Sequence, residues 1–320
     1  MARRRNRLTD TALPRQVDAE LLTDWDVARD AFIRECRIRN LSEHTVKYYR
    51  NELESLRKAL ASNGAPTDPT KITADDIKEA LILPMMDAGK KDTTINARLR
   101  AARAFFNFLA RERFILDNPM ESVKLVRQKR SVIPTFTRQQ VLALLGAPDQ
   151  TTFTGVRDYT ILLVLFETGL RARELVNIRI DDVRFDDGVI RVRNPKGINE
   201  RLVPFQSTVK NQLRKYLAIR GPLEHDFLFV NIDNEPLSVR QVQQRFKIYG
   251  RKAGITNVRC SPHTARHTFA RMFIANGGDA FTLQRILGHT TLEMTRRYVD
   301  LFSDEVAKSH RKHSPIERLF

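Results

Sequence analysis

The spacing of apolar residues departs from the helical period in one stretch of this chain, and that departure bounds the fold. From Trp25 to about Glu112 apolar residues recur every three to four positions, the period that a helix turns onto one face. Between 182 and 205 they fall instead into short runs: Val183 and Phe185, then Val189, Ile190 and Val192, then Leu202 and Val203. Asp186-Asp187-Gly188 and Pro195-Lys196-Gly197 break these runs as turns, so the segment reads as a small antiparallel sheet. Helical spacing then returns. The predicted fold class is mostly α with a small antiparallel β-sheet in the second half, and 320 residues are enough for two domains, each with its own core.

Helix starts in the first half carry capping residues: Ser42 before His44-Thr45-Val46, Thr73 with Asp76 three positions on, and Thr93 or Thr94 before Ile95. In the helix that follows Ser42, Val46, Tyr49, Leu53, Leu56 and Leu60 form one stripe, leaving Lys47, Arg50, Arg57 and Lys58 on other faces. In the helix near 95–111, Ile95, Leu99, Ala102, Phe106 and Leu109 form the buried side and Arg98, Arg100 and Arg103 the outer one. Between Asn118-Pro119 and Pro134 the period weakens while Lys124, Arg127, Lys129 and Arg130 accumulate, as expected of a basic linker that follows a phosphate backbone. Thr137 and Gln140 form a capping box that opens the second domain, whose further helices are predicted over 156–167, 238–253, 263–276, 282–287 and 292–301. The expected organisation is a basic arm over 1–24, a helical domain over 25–117, the linker over 118–135, a second domain over 136–302 and a carboxyl-terminal segment over 303–320.

Charge points to the partner. With 55 Lys and Arg against 38 Asp and Glu, the chain carries +17 at pH 7, which suits a polyanion. No apolar run approaches the ~20 residues that span a bilayer, and no hydrophobic leader opens the chain, so a membrane partner is not expected and a cytoplasmic, nucleoid-associated location is. Cys36 and Cys260 lack the spacing of a disulfide framework or zinc site. His310 and His313 read as part of a basic tail rather than as metal ligands.

Five short segments of the second domain set reactive side chains at turns or helix starts. Thr168-Gly169-Leu170-Arg171 delivers an arginine fork after a glycine turn, with Glu174 close behind. Asn194-Pro195-Lys196-Gly197 holds a lysine at a hairpin tip. Ser261-Pro262 opens a helix on which His263 and Arg266 share a face, with His267 beside them as a structural residue. Leu287-Gly288-His289 presents an imidazole, and Tyr298 follows nine residues later. No cluster of acidic ligands or phosphate-cradling glycine loop accompanies them, so neither metal nor cofactor is expected, and protein cations have to neutralise any phosphate. Two guanidiniums can hold non-bridging oxygens, a lysine can protonate a departing sugar oxygen, and a tyrosine freed of its proton is both nucleophile and good leaving group.

In this order and setting the segments closely resemble the tyrosine recombinase, or phage integrase, family: Thr-Gly-Leu-Arg, Lys-Gly before Arg-Leu-Val-Pro, His-Thr-Ala-Arg-His, Leu-Gly-His, then the tyrosine. The resemblance spans roughly 137–301 and makes 136–302 the catalytic domain, while 25–117 is similar to that family's SAM-like core-binding domain. It implies that Tyr298 attacks, that Arg171, Lys196, His263, Arg266 and His289 assist and that Glu174 supports them. The implied product is a 3′-phosphotyrosine with a free 5′-hydroxyl. Arg50, Arg98, Arg100, Arg103, Lys124, Arg127, Lys129 and Arg130 are the expected contacts to double-stranded DNA. Two departures stand out: Pro195 occupies a position where glycine is usual, and Arg173 lies beside Arg171 where a small or apolar residue is usual.

Two other functions share some of these features. A type IB topoisomerase-like relaxing enzyme uses the same chemistry without pairing two sites, and a DNA-binding regulator needs no nucleophile. The terminal Ser314-Pro315-Ile316-Glu317 reads as a helix start presenting Ile316, Leu319 and Phe320, too few to fold alone. Such a segment is expected to dock on a neighbouring subunit, as carboxyl-terminal segments do in the family it resembles, in a tetramer on two DNA sites, with docking on its own chain as the alternative; the first favours a recombinase.

Overall fold

A computed structural model describes residues 21–128, 133–193, 200–289 and 291. Lys129, Arg130, Lys196, Tyr298, the helix expected over 292–301, the segment 303–320 and all but the last residues of the amino-terminal arm lie outside the described residues. The chain divides into two units between Arg130 and Ser131.

The first unit is helical: α1 (Trp25–Ile38), α2 (Glu43–Ser62), α3 (Ala74–Ile77), α4 (Leu83–Asp87) and α5 (Asp92–Arg111). Ser42 caps α2, and Thr73 with Asp76 forms the reciprocal box of α3. α5 begins at Asp92, two residues earlier than a cap at Thr93 would place it and without a side-chain cap, its first-turn carboxylate facing the positive end of the helix dipole. A wider, π-type turn over Lys78–Ile82 joins α3 to α4. Pro84 has no N–H to offer the Ala80 carbonyl one turn back, and the Asn63 side chain supplies that hydrogen bond instead at 3.0 Å. The expected stripe of α2 is inside at Val46, Leu53, Leu56 and Leu60, with Tyr49 partly buried, and meets Ile95, Leu99, Phe105, Phe106 and Leu109 of α5. Phe32 sets its ring edge-on to Phe105, with centroids 5.7 Å apart.

Part of the stretch read as linker belongs to this core. Met120 and Val123 are buried, and the buried Asn96 accepts from Val126 N–H (2.9 Å) and donates to its carbonyl (2.8 Å) as a neighbouring strand would. Isolated apolar residues among charges hide such packing from periodicity.

The second unit contains α6 (Arg138–Gly146), α7 (Phe153–Thr168), α8 (Ala172–Val176), β1 (Val183–Arg184), β2 (Val189–Val192), β3 (Arg201–Pro204), α9 (Ser207–Arg220), α10 (Val239–Lys252), α11 (Pro262–Ala275) and α12 (Ala280–Leu287). Thr137 and Gln140 cap α6 reciprocally, and Ser261 with Pro262 opens α11. The strands pair antiparallel in the order β1-β2-β3, with Val183 opposite Ile190, Ile190 opposite Val203 and Val192 opposite Arg201. Ile190, Val192 and Val203 face the core and Leu202 faces out, the alternation of a half-buried sheet. α9 had no counterpart in the sequence reading: Lys210, Arg214 and Lys215 dilute a stripe of only Val209, Leu213 and Tyr216. α7 is buried on most sides against α9 and α11, and it carries an ionic cluster into the core. Asp158 accepts from Arg157 and Arg245 and from the Tyr249 hydroxyl (2.7 Å), while Arg157 also reaches the Val230 carbonyl (3.0 Å). No described helix is long and apolar enough to cross a membrane.

Candidate active site

The site grows from two helix ends that stop on left-handed glycines. α7 ends at Gly169, φ +62°, and α12 ends at Gly288, φ +64°. Neither glycine has room for a side chain. A Cβ on Gly169 would lie 2.4 Å from the Phe269 ring and one on Gly288 would lie 2.9 Å from Arg201 Nη1. The chain then presents Arg171 after the first glycine and His289 after the second.

Arg266 joins the two turns. It projects from α11, is buried, and donates from Nη1 to the Gly169 carbonyl (2.7 Å) and from Nη2 to the Leu287 carbonyl (2.8 Å). Both carbonyls belong to helix ends, where the last C=O groups lack intrahelical partners. The planar fork of an arginine satisfies both at once, which a lysine cannot do.

Glu174 is the second junction. Its carboxylate accepts the Arg171 backbone N–H (2.8 Å) and Arg171 Nη1 (2.9 Å), and takes both terminal nitrogens of Arg201 at 3.0 and 2.9 Å. Burial drives the Glu174 carboxyl up, but the hydrogen bonds and charge of Arg201, and then those of Arg171, outweigh it and hold the group below the usual carboxylate range. Arg201 also donates from Nε to the Ile286 carbonyl at 2.7 Å. Arg201 was not among the expected site residues. A signal was present, since period-2 alternation sets Arg201 on the same inward face as the buried Val203. Arg173, the neighbour that competed with Arg171, is exposed.

At the other end of the hairpin, the buried carboxylate of Asp182 accepts the Arg179 N–H (3.0 Å) and the Nε groups of Arg191 (2.9 Å) and Arg193 (2.7 Å). β2 and the residue after it, Arg193, are thereby tied to Asp182.

The structure thus draws Arg171, Glu174, Arg201, Arg266 and His289 together. His263 is exposed on α11, on the face it shares with Arg266 and one turn before His267, whose pKa is lowered by burial, then by His263 and Arg266. Burial, then the charges of Arg266, Arg171, Arg201 and His267, push the His289 pKa down to about 4. His289 is therefore neutral at physiological pH in the free protein. Because the unfolded chain binds the His289 proton from about pH 6.5 downward while the folded site refuses it until about pH 4, stability falls as pH drops through that window. Thermal melts are expected to show this loss, with a shallower pH slope for His289→Asn; an unchanged slope would contradict it. Among the described residues no group of three or more His, Cys, Asp or Glu side chains could hold a metal ion.

The expected DNA contacts divide in two. Arg50, Arg100, Lys124 and Arg127 are exposed. Arg98 and Arg103 are partly buried, Arg98 pairing with Glu52 (3.1 Å) and Arg103 donating to the Val123 carbonyl (2.5 Å).

Comparison with known proteins assigns the scaffold. Residues 134–305 match the phage integrase family, and residues 30–113 match the phage integrase N-terminal SAM-like domain. The first match alone spans more than half of the chain. The chain belongs to the phage integrase family of tyrosine recombinases. This recombinase is 33% identical over 285 residues to the tyrosine recombinase XerC of Thermodesulfovibrio yellowstonii, covering 87% of this chain and 92% of that one. It is 30% identical over 298 residues to XerC of Chlamydia caviae, covering 87% and 95%. The solved XerH site-specific recombinase bound to a palindromic difH substrate shares the fold, with a TM-score of 0.73 at 18% identity over 90% of this chain and 85% of that one.

Proposed function

We propose that this recombinase cuts and rejoins double-stranded DNA at a specific site through a covalent bond to Tyr298. The observation that carries the reading is the junction in which Arg266 ties the turns of Arg171 and His289 together, because it sets two guanidiniums and a neutral imidazole around one small volume. Supporting it are the XerC relatives, named as tyrosine recombinases, and the XerH complex, described as bound to its DNA substrate.

In the proposed reaction Arg171 and Arg266 bind the non-bridging oxygens of one phosphodiester, where charge grows in the transition state. His289 hydrogen-bonds the same phosphate. His263 takes the phenol proton, and the Tyr298 oxygen forms a bond to phosphorus as the bond to the 5′ oxygen breaks. Lys196 protonates that leaving oxygen. The 3′-phosphotyrosine conserves the bond energy, so a 5′-hydroxyl from a partner strand can displace the tyrosine. Arg50, Arg100, Lys124 and Arg127, with Lys129 and Arg130, contact the backbone, and four subunits exchanging their 303–320 segments assemble on two sites in the cytoplasm.

The test is a nicked suicide duplex carrying the chain's site, incubated in EDTA and resolved on a denaturing gel. The wild-type chain is expected to form a covalent adduct and Tyr298→Phe none. An adduct that survives Tyr298→Phe would overturn the assignment of the nucleophile.

A further inference from the structure

Arg201 touches three parts of the site at once. Its two terminal nitrogens hold Glu174, the carboxylate that also fixes the backbone and the guanidinium of Arg171. Its Nε holds the Ile286 carbonyl in the last turn of α12, three residues before His289. Gly288 lies so close that an added Cβ would meet Arg201 Nη1 at 2.9 Å and Cζ at 3.0 Å, so the backbone of the His289 turn packs directly on the guanidinium. The side chain itself is only 15% exposed, as is that of Glu174.

These contacts differ from those of Arg266. Arg266 links the carbonyls of Gly169 and Leu287, whereas Arg201 links the carboxylate behind Arg171 to Ile286 and Gly288. The turns of Arg171 and His289 are therefore joined twice, by two guanidiniums from different elements, α11 and β3. Two forks with different attachment points restrict the relative position of the turns more than one fork does.

We infer that Arg201 is a positioning residue for strand cleavage, one that sets the spacing of Arg171 and His289 without contacting the reacting phosphate. This rests on the recombinase reading above. The geometry requires a bidentate fork, so the charge of Arg201 alone does not suffice.

Single-turnover adduct formation with Arg201→Met and Arg201→Lys, alongside DNA affinity by titration, tests this. Displacing reacting groups by about 1 Å can cost about 100-fold in rate. A fall of about that size is expected for Arg201→Met, with DNA affinity within about threefold and with Arg201→Lys restoring only a small part. A second readout needs no cleavage: the pH titration of the His289 ring, followed by NMR in the free protein. The charges facing His289 come from Arg266 and His267 on α11, Arg171 before α8 and Arg201 on β3. Removing Arg201 deletes one cation and leaves the Glu174 charge less compensated, so the His289 titration is expected to move upward in Arg201→Met. Arg201→Met that cleaves at the wild-type rate, or leaves the His289 titration unmoved, would overturn the inference. Equal loss of affinity and rate, with a collapsed melting transition in both variants, would also do so by making Arg201 a general fold residue. If the wild-type chain itself forms no adduct, the recombinase reading fails, and the His289 titration still decides the role of Arg201.

Discussion

Arg266→Ala is expected to lower the rate of covalent adduct formation by about 100- to 1,000-fold, the effect of removing one positioned donor from a site that stabilises developing negative charge. It is also expected to destabilise the second unit. The Gly169 and Leu287 carbonyls would lose their Arg266 donors in a buried setting, at about 1–3 kcal/mol for each group left unsatisfied. Arg266→Lys separates the two effects, because it keeps a cation near the phosphate but reaches only one carbonyl well. Urea unfolding measures the stability cost and the suicide-duplex assay the rate. A variant that keeps adduct formation within tenfold of wild type would show that Arg266 is structural only.

The largest effect on stability alone is expected at Asp158. This carboxylate is 2% exposed and holds Arg157, itself 3% exposed, together with Arg245 and the Tyr249 hydroxyl. Removing one partner of a buried ion pair strands the other charge, at about 3–5 kcal/mol. Domains of this size are stable by only about 5–15 kcal/mol, so Asp158→Ala is expected to lower the urea midpoint sharply. Tyr249→Phe removes a single hydrogen bond and should cost about 1 kcal/mol. The Tyr249 hydroxyl is held well above its ordinary pKa, by burial first and then by the Asp158 carboxylate that accepts its proton, so it remains a donor throughout the working pH range. A loss below about 1 kcal/mol for Asp158→Ala would mean that Arg157 finds another partner or water.

Much of this arrangement could be read locally. Reciprocal caps at Thr73 with Asp76 and at Thr137 with Gln140 formed as expected, because each involves residues three apart. The antiparallel hairpin formed as anticipated at Asp186-Asp187-Gly188, Gly188 having φ +63°. Arg171 was named from its setting after a glycine turn, and Glu174 from the family resemblance. The features that escaped depend on long separations: Arg201 meets Ile286 across 85 residues, and Asp158 meets Tyr249 across 91. No local period carries such pairs. α9 escaped for the opposite reason, since its apolar stripe is thin and its charges resemble a loop. Arg98 and Arg103 were expected outside because their helix phase is outward, yet Glu52 and the Val123 carbonyl draw them inward.

The shielding of the Glu174–Arg201 pair bears on ionic strength. Contacts between exposed cations and DNA phosphates weaken steeply with added salt, as counterions compete for the backbone. A partly buried pair within 3 Å lies inside the Debye length at any ordinary concentration and is screened far less. Salt is therefore expected to separate two layers of this enzyme's charge: raising it should weaken the grip of the exposed cations on DNA while leaving the Glu174–Arg201 pair, and with it the geometry of the turns, in place.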